Sequence, residues 1–526
     1  MAKAAAQNAD EVIVALDVGT SGIRAVTFAS DGEVLGSHHH RYAPQFHSDG
    51  RVRQDPNTWF EGTNQVLAGV AADAVGSGHR LVALSVASQR ASVIPVGPEA
   101  QPLMDALMWQ DKSTGPECEL IGQRLSVEQT YATTGLRIDP YFPASRIVWL
   151  QRHRPDIFAR TSRFLGVQDL VTSFLCGEQV TDHSQASRTM LFDISRWAWD
   201  QEILGALGIP MDKLPPSVAP GSEVGRTTDA LESSCGFPPG VPVILAGGDQ
   251  QVAALGMGVI EPGAAEANTG TGSFVLTPAN EPLLDEQRRT LCSVAAIPGR
   301  WIAEAGILTT GIVYEWFARE FGSGAPAVPG QSDTRIEELN EIVGTSPCGA
   351  NGVLAMPHFS GTAAPFWNPD ARGMFLNLQL STQRADIARA ILEGIAMEMA
   401  TNLDLLARQA GGIDEVTVAG GLTQLDLFNQ IQADAFGRPV QASTEKEATA
   451  RGAMITAAVT LGRFRDHRLA YDATVHASPR RYLPREEATE MYGAYRQVRN
   501  DVHDTLLAAG LHSRMRRVGE LHERGE

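Results

Sequence analysis

The chain of 526 residues carries only five cysteines, Cys118, Cys176, Cys235, Cys292 and Cys348, and no two form a C-x-x-C pair. That scatter excludes a disulfide framework and a thiolate metal site, and it suits a reducing compartment. No apolar run approaches the ~20 residues that cross a bilayer, and the first ten residues lack the apolar core of a signal peptide. Positive charge is also short, with 43 Lys and Arg against 61 Asp and Glu, a formal balance of −18. Nucleic acid and anionic membrane are poor main partners for such a chain, although a nucleotide needs only a local pocket. His38-His39-His40 has no Cys or carboxylate at metal-ligand spacing and reads as a solvated edge strand. The expectation is a cytoplasmic protein.

What the chain does have is a repeat. Val14-Ala15-Leu16-Asp17-Val18-Gly19-Thr20-Ser21 returns, loosened, as Ala265-Glu266-Ala267-Asn268-Thr269-Gly270-Thr271-Gly272. Asp17 and Asn268, Gly19 and Gly270, and Thr20 and Thr271 are each 251 residues apart. Each copy is a strand-like run, then Asp/Asn-x-Gly-Thr, then a second strand-like run. That grammar is a hairpin whose glycine permits a tight turn. Convergent N–H groups and hydroxyls at such a turn suit phosphate oxygens. Two of them across a cleft would hold a polyphosphate from both sides.

At this length two large domains are expected, 1–257 and 258–526, joined near 250–262. The first opens with strands near 12–17, 23–29 and 33–41, a helix at 56–77 and a buried strand at 81–86. Helical spacing follows at 117–123, 143–153 and 200–207. The Pro- and Gly-rich stretch 210–240 reads as surface loop. A buried strand then runs from Val241 into Gly247-Gly248-Asp249. The second domain repeats the scheme, with a hairpin at 264–277, a strand at 301–306 and helices at 309–320 and 384–409. A short strand ends at Gly420-Gly421, before helices at 425–436 and 486–508. The basic tail with Arg514, Arg516 and Arg517 is expected to fray.

The paired hairpins and the late strand–Gly-Gly–helix resemble the actin/hexokinase superfold, and within it the FGGY carbohydrate kinases, over residues 12 to 462. Tyr141-Phe142-Pro143-Ala144-Ser145-Arg146-Ile147-Val148-Trp149 is similar to the first signature of that family, with Arg146 where Lys is usual. Gly373-Met374-Phe375 through Asp386 to Glu393 is similar to the second, with Asn377 where Gly is usual. Thr134-Gly135-Leu136-Arg137, Ala186-Ser187-Arg188-Thr189, Gly248-Asp249-Gln250-Gln251 and Ala364-Pro365-Phe366-Trp367 resemble the glycerol kinases more than the xylulokinases or ribulokinases.

The resemblance implies an α/β chain of two ribonuclease-H-like domains with a catalytic cleft between them. It implies ATP-dependent phosphorylation of a hydroxyl, with Mg²⁺, on a small polyol or ketose. Glycerol leads, ahead of a four- or five-carbon substrate such as erythritol or xylulose. A catalytically silent sugar- or nucleotide-binding regulator is the rival, and a homodimer or homotetramer the expected assembly. By carry-over, Asp249 is the base, and Arg90, Trp109, Tyr141, Asp249 and Gln250 line the polyol site. Asp17 positions the metal. Gly19, Thr20, Ser21, Arg24, Gly270 and Thr271 face phosphates, with Gly311, Gly420 and Gly421 around the nucleotide.

The chemistry agrees with these roles. An alcohol must be aligned in line with the γ-phosphate while its proton goes to a base. Asp249 ends a buried strand after a Gly pair, a place that also suits a helix cap. Trp109 and Tyr141 read equally well as core aromatics. Asp17 reads as a turn residue or, beside phosphates, as a metal ligand. Arg24, four residues after the turn threonine, has few structural reasons to be there. One departure stands out. Glycerol kinases carry Gln-Arg-Glu where this chain has Gln89-Arg90-Ala91, and that Glu accepts hydrogen bonds from substrate hydroxyls. Its loss costs about 1.5–3 kcal/mol, roughly 10- to 150-fold in binding, and opens space for another substrate.

Overall fold

The computed structural model describes residues 10–323, 333–476 and 479–523. The first nine residues, read above with residue 10 as lacking a signal core, lie outside them. Two sheets organise the chain. The first has the order Glu223–Arg226, Pro242–Gly248, Arg80–Ser88, Glu11–Val18, Gly22–Phe28, Val34–Arg41. The second has the order Leu291–Val294, Trp301–Ile307, Ser273–Ala279, Ala264–Thr269, Glu415–Gly420, Val440–Ala442, Arg480–Tyr482. In both, an antiparallel meander of three strands is extended by two strands parallel to its first. This is the ribonuclease-H-like order, present twice.

The repeat is slightly out of step with its structure. The first hairpin pairs Val18 with Ile23, whereas the second pairs Thr269 with Ser273. The second turn is therefore one residue tighter, and the counterpart of Arg24 is Phe274, not Val275.

Period-two alternation decides what each strand faces. Along Glu11–Val18, the residues Val12, Val14 and Leu16 join a core with Trp59, Val66 and Val70 of helix Asn57–Ser77 and Leu170 and Val171 of helix Val167–Cys176. Ile13 and Ala15 point the other way, into a core completed by Ala450, Ala453, Met454 and Ala457 of helix Ala448–Thr460. Asp17 continues this second row. The helix that covers it comes from late in the chain, so packing crosses the 1–257/258–526 division here. It also crosses helix Asp249–Gly256, and the two approach through glycines: a Cβ on Gly452 would sit 1.9 Å from the Val252 carbonyl oxygen.

In the second sheet, Ala265, Ala267, Val275, Ala303 and Ala305 pack under helix Arg384–Ala410. The alternating set, Glu266, Asn268, Leu276 and Glu304, lies on the opposite face, paired row by row across the strands.

Two expectations fail. The stretch 210–240 is not all loop: Glu223–Arg226 pairs at the edge of the first sheet, and Asp229–Cys235 is a helix capped by the Thr228 hydroxyl. The basic tail does not fray but forms helix Leu511–Glu523, where Ser513 and Arg516 reach Asp370 at 2.8 and 3.2 Å. The histidine run is an edge strand, with His38 on Asp73 at 2.7 Å. All five cysteines are free. Among the described residues no helix is long and apolar enough to cross a membrane.

Candidate active site

The first turn is closed by the Gly19 N–H on the Gly22 carbonyl at 2.9 Å. The Gly19 carbonyl accepts from the Tyr42 hydroxyl at 2.6 Å and from Gln89 Nε2 at 3.3 Å. The Thr20 hydroxyl donates to Gln89 Oε1 at 3.3 Å and accepts from the Trp109 indole N–H at 3.0 Å. Ser21 stays exposed beside it. In the second turn the Gly270 N–H reaches the Gly272 carbonyl at 2.9 Å. Helix Gly311–Phe321 begins against that turn, with Gly311 N donating to the Gly270 carbonyl at 3.0 Å and Thr310 N to the Thr271 carbonyl at 2.9 Å. Gly420 pairs with Thr269 across the sheet, and Gly421 opens the short 3₁₀ turn that follows. Gly270, Thr271, Gly311, Gly420 and Gly421 thus share one end of the second sheet.

The residues expected to line a polyol site gather at the matching end of the first. The Trp109 and Tyr141 rings meet edge to face at 5.6 Å, and both are half-buried. The Arg188 guanidinium lies 5.6 Å from the Tyr141 ring centre. Arg90 is held on several sides: Nη1 bonds Glu304 at 3.1 Å, Nη2 bonds Gln250 Oε1, and Nε stands 4.0 Å from Asp249 Oδ1. The Gly pair before Asp249 makes room for this arginine, since a Cβ on Gly248 would lie 2.4 Å from Arg90 Cδ.

Asp249 opens helix Asp249–Gly256, and its Oδ1 accepts from the Gln250 N–H at 2.7 Å. Burial raises its carboxyl above the usual range, and Arg90 works against the rise. Asp17 is affected more strongly. Burial first, then Asp249, pushes it up to about 7, with Arg24 opposing and Glu447 adding. Its Oδ1 is shut away from solvent with no hydrogen-bond partner. Asp17 and Asp249 are therefore two carboxylates that each disfavour the other's charge.

Sequence reading gave no site role to Glu447, Glu304, Arg188 or Glu266. Arg24 does have a structural partner: it bonds Glu447 at 2.6 Å, across 423 positions. Alternation explains the meeting, because Arg24 pairs with Asp17 on the face covered by the helix that Glu447 precedes. Glu304 is fully buried between Arg90 and Arg188, the latter at 2.5 Å. Burial alone would raise its carboxyl, but the two guanidiniums hold it below the usual range. Glu266 is fully buried and is pushed up to about 8 by desolvation, with Asn268 and Arg90 opposing the rise. A charged residue inside an apolar strand, as at Glu266 and Glu304, was the available signal.

Ala91 has φ 63° and lines a cavity of about 40 Å³ with Ser92, Pro143, Ile147, Gln185 and Thr189. None of Arg90, Trp109, Tyr141, Asp249 or Gln250 lines that cavity.

Comparison with known proteins gives the class. The N-terminal domain of the FGGY family of carbohydrate kinases matches residues 12–256, and its C-terminal domain matches residues 265–461. The chain belongs to this family. Among curated relatives it is 34% identical to a glycerol kinase of Trichlorobacter lovleyi, covering 87% of this chain and 91% of that one. It is 32% identical to a glycerol kinase of Methylibium petroleiphilum, covering 93% and 99%. Among solved structures, a ligand-bound xylulose kinase from Lactobacillus acidophilus aligns with TM-score 0.87 at 22% identity, over 95% of this chain and 99% of that one. A Plasmodium falciparum glycerol kinase with ADP aligns at TM-score 0.84 and 21% identity, over 94% and 98%. These last two show the fold.

Proposed function

We propose that the chain transfers the γ-phosphate of ATP to a primary hydroxyl of a small polyol, with glycerol ahead of other named substrates. The hydrogen bond from the Trp109 indole to the Thr20 hydroxyl carries this reading, because it joins the polyol wall to the phosphate turn. Asp249 takes the hydroxyl proton, and a carboxyl with a raised pKa is the better base as long as Arg90 keeps it ionised. The Gly19–Ser21 and Gly270–Thr271 turns offer N–H and hydroxyl groups to the phosphates, with Arg24 beside the first. Gly311, Gly420 and Gly421 border the nucleotide. The family patterns support catalytic halves at 1–257 and 258–526. An ATP-consuming chain with free cysteines suits the cytoplasm.

Mg²⁺ fits the residues present. Among the described residues no group of three or more His, Cys, Asp or Glu side chains is placed to hold a metal alone. Mg²⁺ does not ask for one, since it keeps waters and takes one or two carboxylates with phosphate oxygens. Asp17, with its unpartnered Oδ1 near Asp249, is the group that would hold it. The ion supplies positive charge to the transferring phosphoryl group.

A coupled ADP-release screen over glycerol, erythritol, pentitols and pentuloses tests the reading. Release no faster than with water as acceptor, for every compound, would sink it. The departure Gln89-Arg90-Ala91 motivates a second reading, a four- or five-carbon substrate, although Ala91 lines a small cavity apart from Arg90, Trp109, Tyr141, Asp249 and Gln250. If the missing carboxylate is what weakens glycerol, Ala91→Glu should raise kcat/KM for glycerol about tenfold and lower it for the native substrate. Efficient use of glycerol by the unaltered enzyme would remove that reading.

A further inference from the structure

Arg146 lies in helix Pro143–His153 and is fully buried, a position of high cost for a charge without compensation. Among the described residues it forms no ion pair with a carboxylate; nearby Asp111 is taken by Arg53 and Ser113. Its guanidinium instead donates to four backbone carbonyls. Nη1 bonds Ala91 at 2.6 Å, and Nη2 bonds Trp109 at 3.0 Å, Pro140 at 2.8 Å and Tyr141 at 3.1 Å. Those carbonyls belong to three separate segments. One follows strand Arg80–Ser88, one follows strand Ala106–Leu107, and one leads into the arginine's own helix. Each segment carries one polyol-site residue: Arg90, Trp109 or Tyr141.

We propose that Arg146 is the positioning residue of the polyol pocket, fixing the spacing of Arg90, Trp109 and Tyr141 by gripping the backbone behind each. It touches no reacting atom. The planar fork of a guanidinium has five N–H donors and can serve several acceptors spread around it, whereas a lysine ammonium has three donors at one point. Ala91 adds a reason for the grip. At φ 63° it occupies the left-handed region, which costs a non-glycine residue and persists only where neighbours enforce it. The 2.6 Å bond from Arg146 to its carbonyl is such an enforcement. Desolvation pulls the guanidinium down only to about 10, so the donors stay charged at neutral pH. Arg146 thereby sets which hydroxyl pattern the pocket accepts, a statement that rests on the kinase reading above.

The test uses the full chain with Arg146→Lys and Arg146→Gln, the second removing the buried charge. Hydrogen exchange should speed up in segments 89–93, 107–111 and 138–142 and stay unchanged in the second hairpin, 264–277. With the best acceptor from the screen, KM for the acceptor should rise about tenfold or more while KM for ATP stays within twofold. Unchanged exchange in those three segments would overturn the proposal. So would a fall in kcat alone with both KM values kept, or loss of the fold in both variants, since either marks a merely structural arginine. If the unaltered chain phosphorylates nothing, the kinase reading fails, and exchange still decides whether Arg146 grips the three segments.

Discussion

Taken along the same row, the two sheets differ in charge. In the first, the row runs Ala87, Asp17, Arg24, His39; in the second it runs Ala419, Asn268, Phe274, Gly306. The core strand order is shared and the turns differ by one residue, yet one row carries a carboxylate, a guanidinium and an imidazole while the other is neutral. The two turns share the Gly-Thr pattern, and only the first has ionisable side chains in the row beside it. On the proposed function a neutral second row has its own use, because a carboxylate there would repel phosphates. The halves are thus alike in geometry and unlike in chemistry.

The largest effect expected from this division is at the end of the first sheet. Asp249→Asn keeps the size of the side chain but not its basicity, so kcat should fall ~10²–10⁴-fold with ATP binding little changed. Turnover close to normal in steady-state assays would take the proton-accepting role away from Asp249.

Next comes one of the contacts between the halves. Glu304→Gln strips the buried carboxylate from Arg90 and Arg188, and breaking such a cluster costs about 3–5 kcal/mol. Urea denaturation reads the loss directly. A midpoint unchanged by the substitution would mean the cluster is not what holds Arg90.

Asn268→Asp makes the second row resemble the first. Like charges about 10 Å apart at an effective dielectric constant of about 20 repel by roughly 1–2 kcal/mol, so KM for ATP should rise about tenfold. An unchanged KM would show that this row does not face the phosphates.

The smallest effect concerns pH and is strongest in the second half, although burial also lowers His39 and His183 in the first. Burial pulls His358 down to about 3 and His503 to about 4, and it lowers His512 as well. The ring of His503 stacks on Phe366 at 3.7 Å, with both nitrogens unpartnered, and Glu398, Arg499, Asp370 and Arg372 surround the group. The folded state binds fewer protons than the unfolded chain, so this stability is complete above the ordinary histidine value of about 6.5. It is lost as pH falls below that toward the folded values. His358 and His503 should each remove about 1 kcal/mol by pH 5.5. Equal stability at pH 7 and 5.5 would contradict the burial of these rings.

Much of this was legible in the sequence, and the reason is local. Asp-x-Gly-Thr and Asn-x-Gly-Thr specify a hairpin within eight residues, and the run into Gly247-Gly248-Asp249 specifies a buried strand with a carboxylate at its end. What stayed hidden depends on distant partners. Glu447 has no motif that points to Arg24, and Glu304 reads as an anomaly until Arg90 and Arg188 close around it. Strand Glu223–Arg226 was missed because four residues among prolines and glycines look like loop until a neighbour pairs with them. The tail looked frayed because its anchor, Asp370, lies far away in sequence.

Helix Ala448–Thr460 has a consequence for how the protein is made. The face of the first sheet bearing Ile13, Ala15, Val26 and Phe28 is closed mainly by this helix; among the described residues, the earlier members of the same core are strand neighbours, Val252 and Leu255 of helix Asp249–Gly256, Ile260 and Ala296. A ribosome adding about 5–20 residues per second needs roughly 10–40 s to travel the ~200 positions between those two helices. Throughout that interval the nascent first sheet presents an apolar flank to the cell. Chaperone demand should therefore peak midway through synthesis and fall once the late helix emerges.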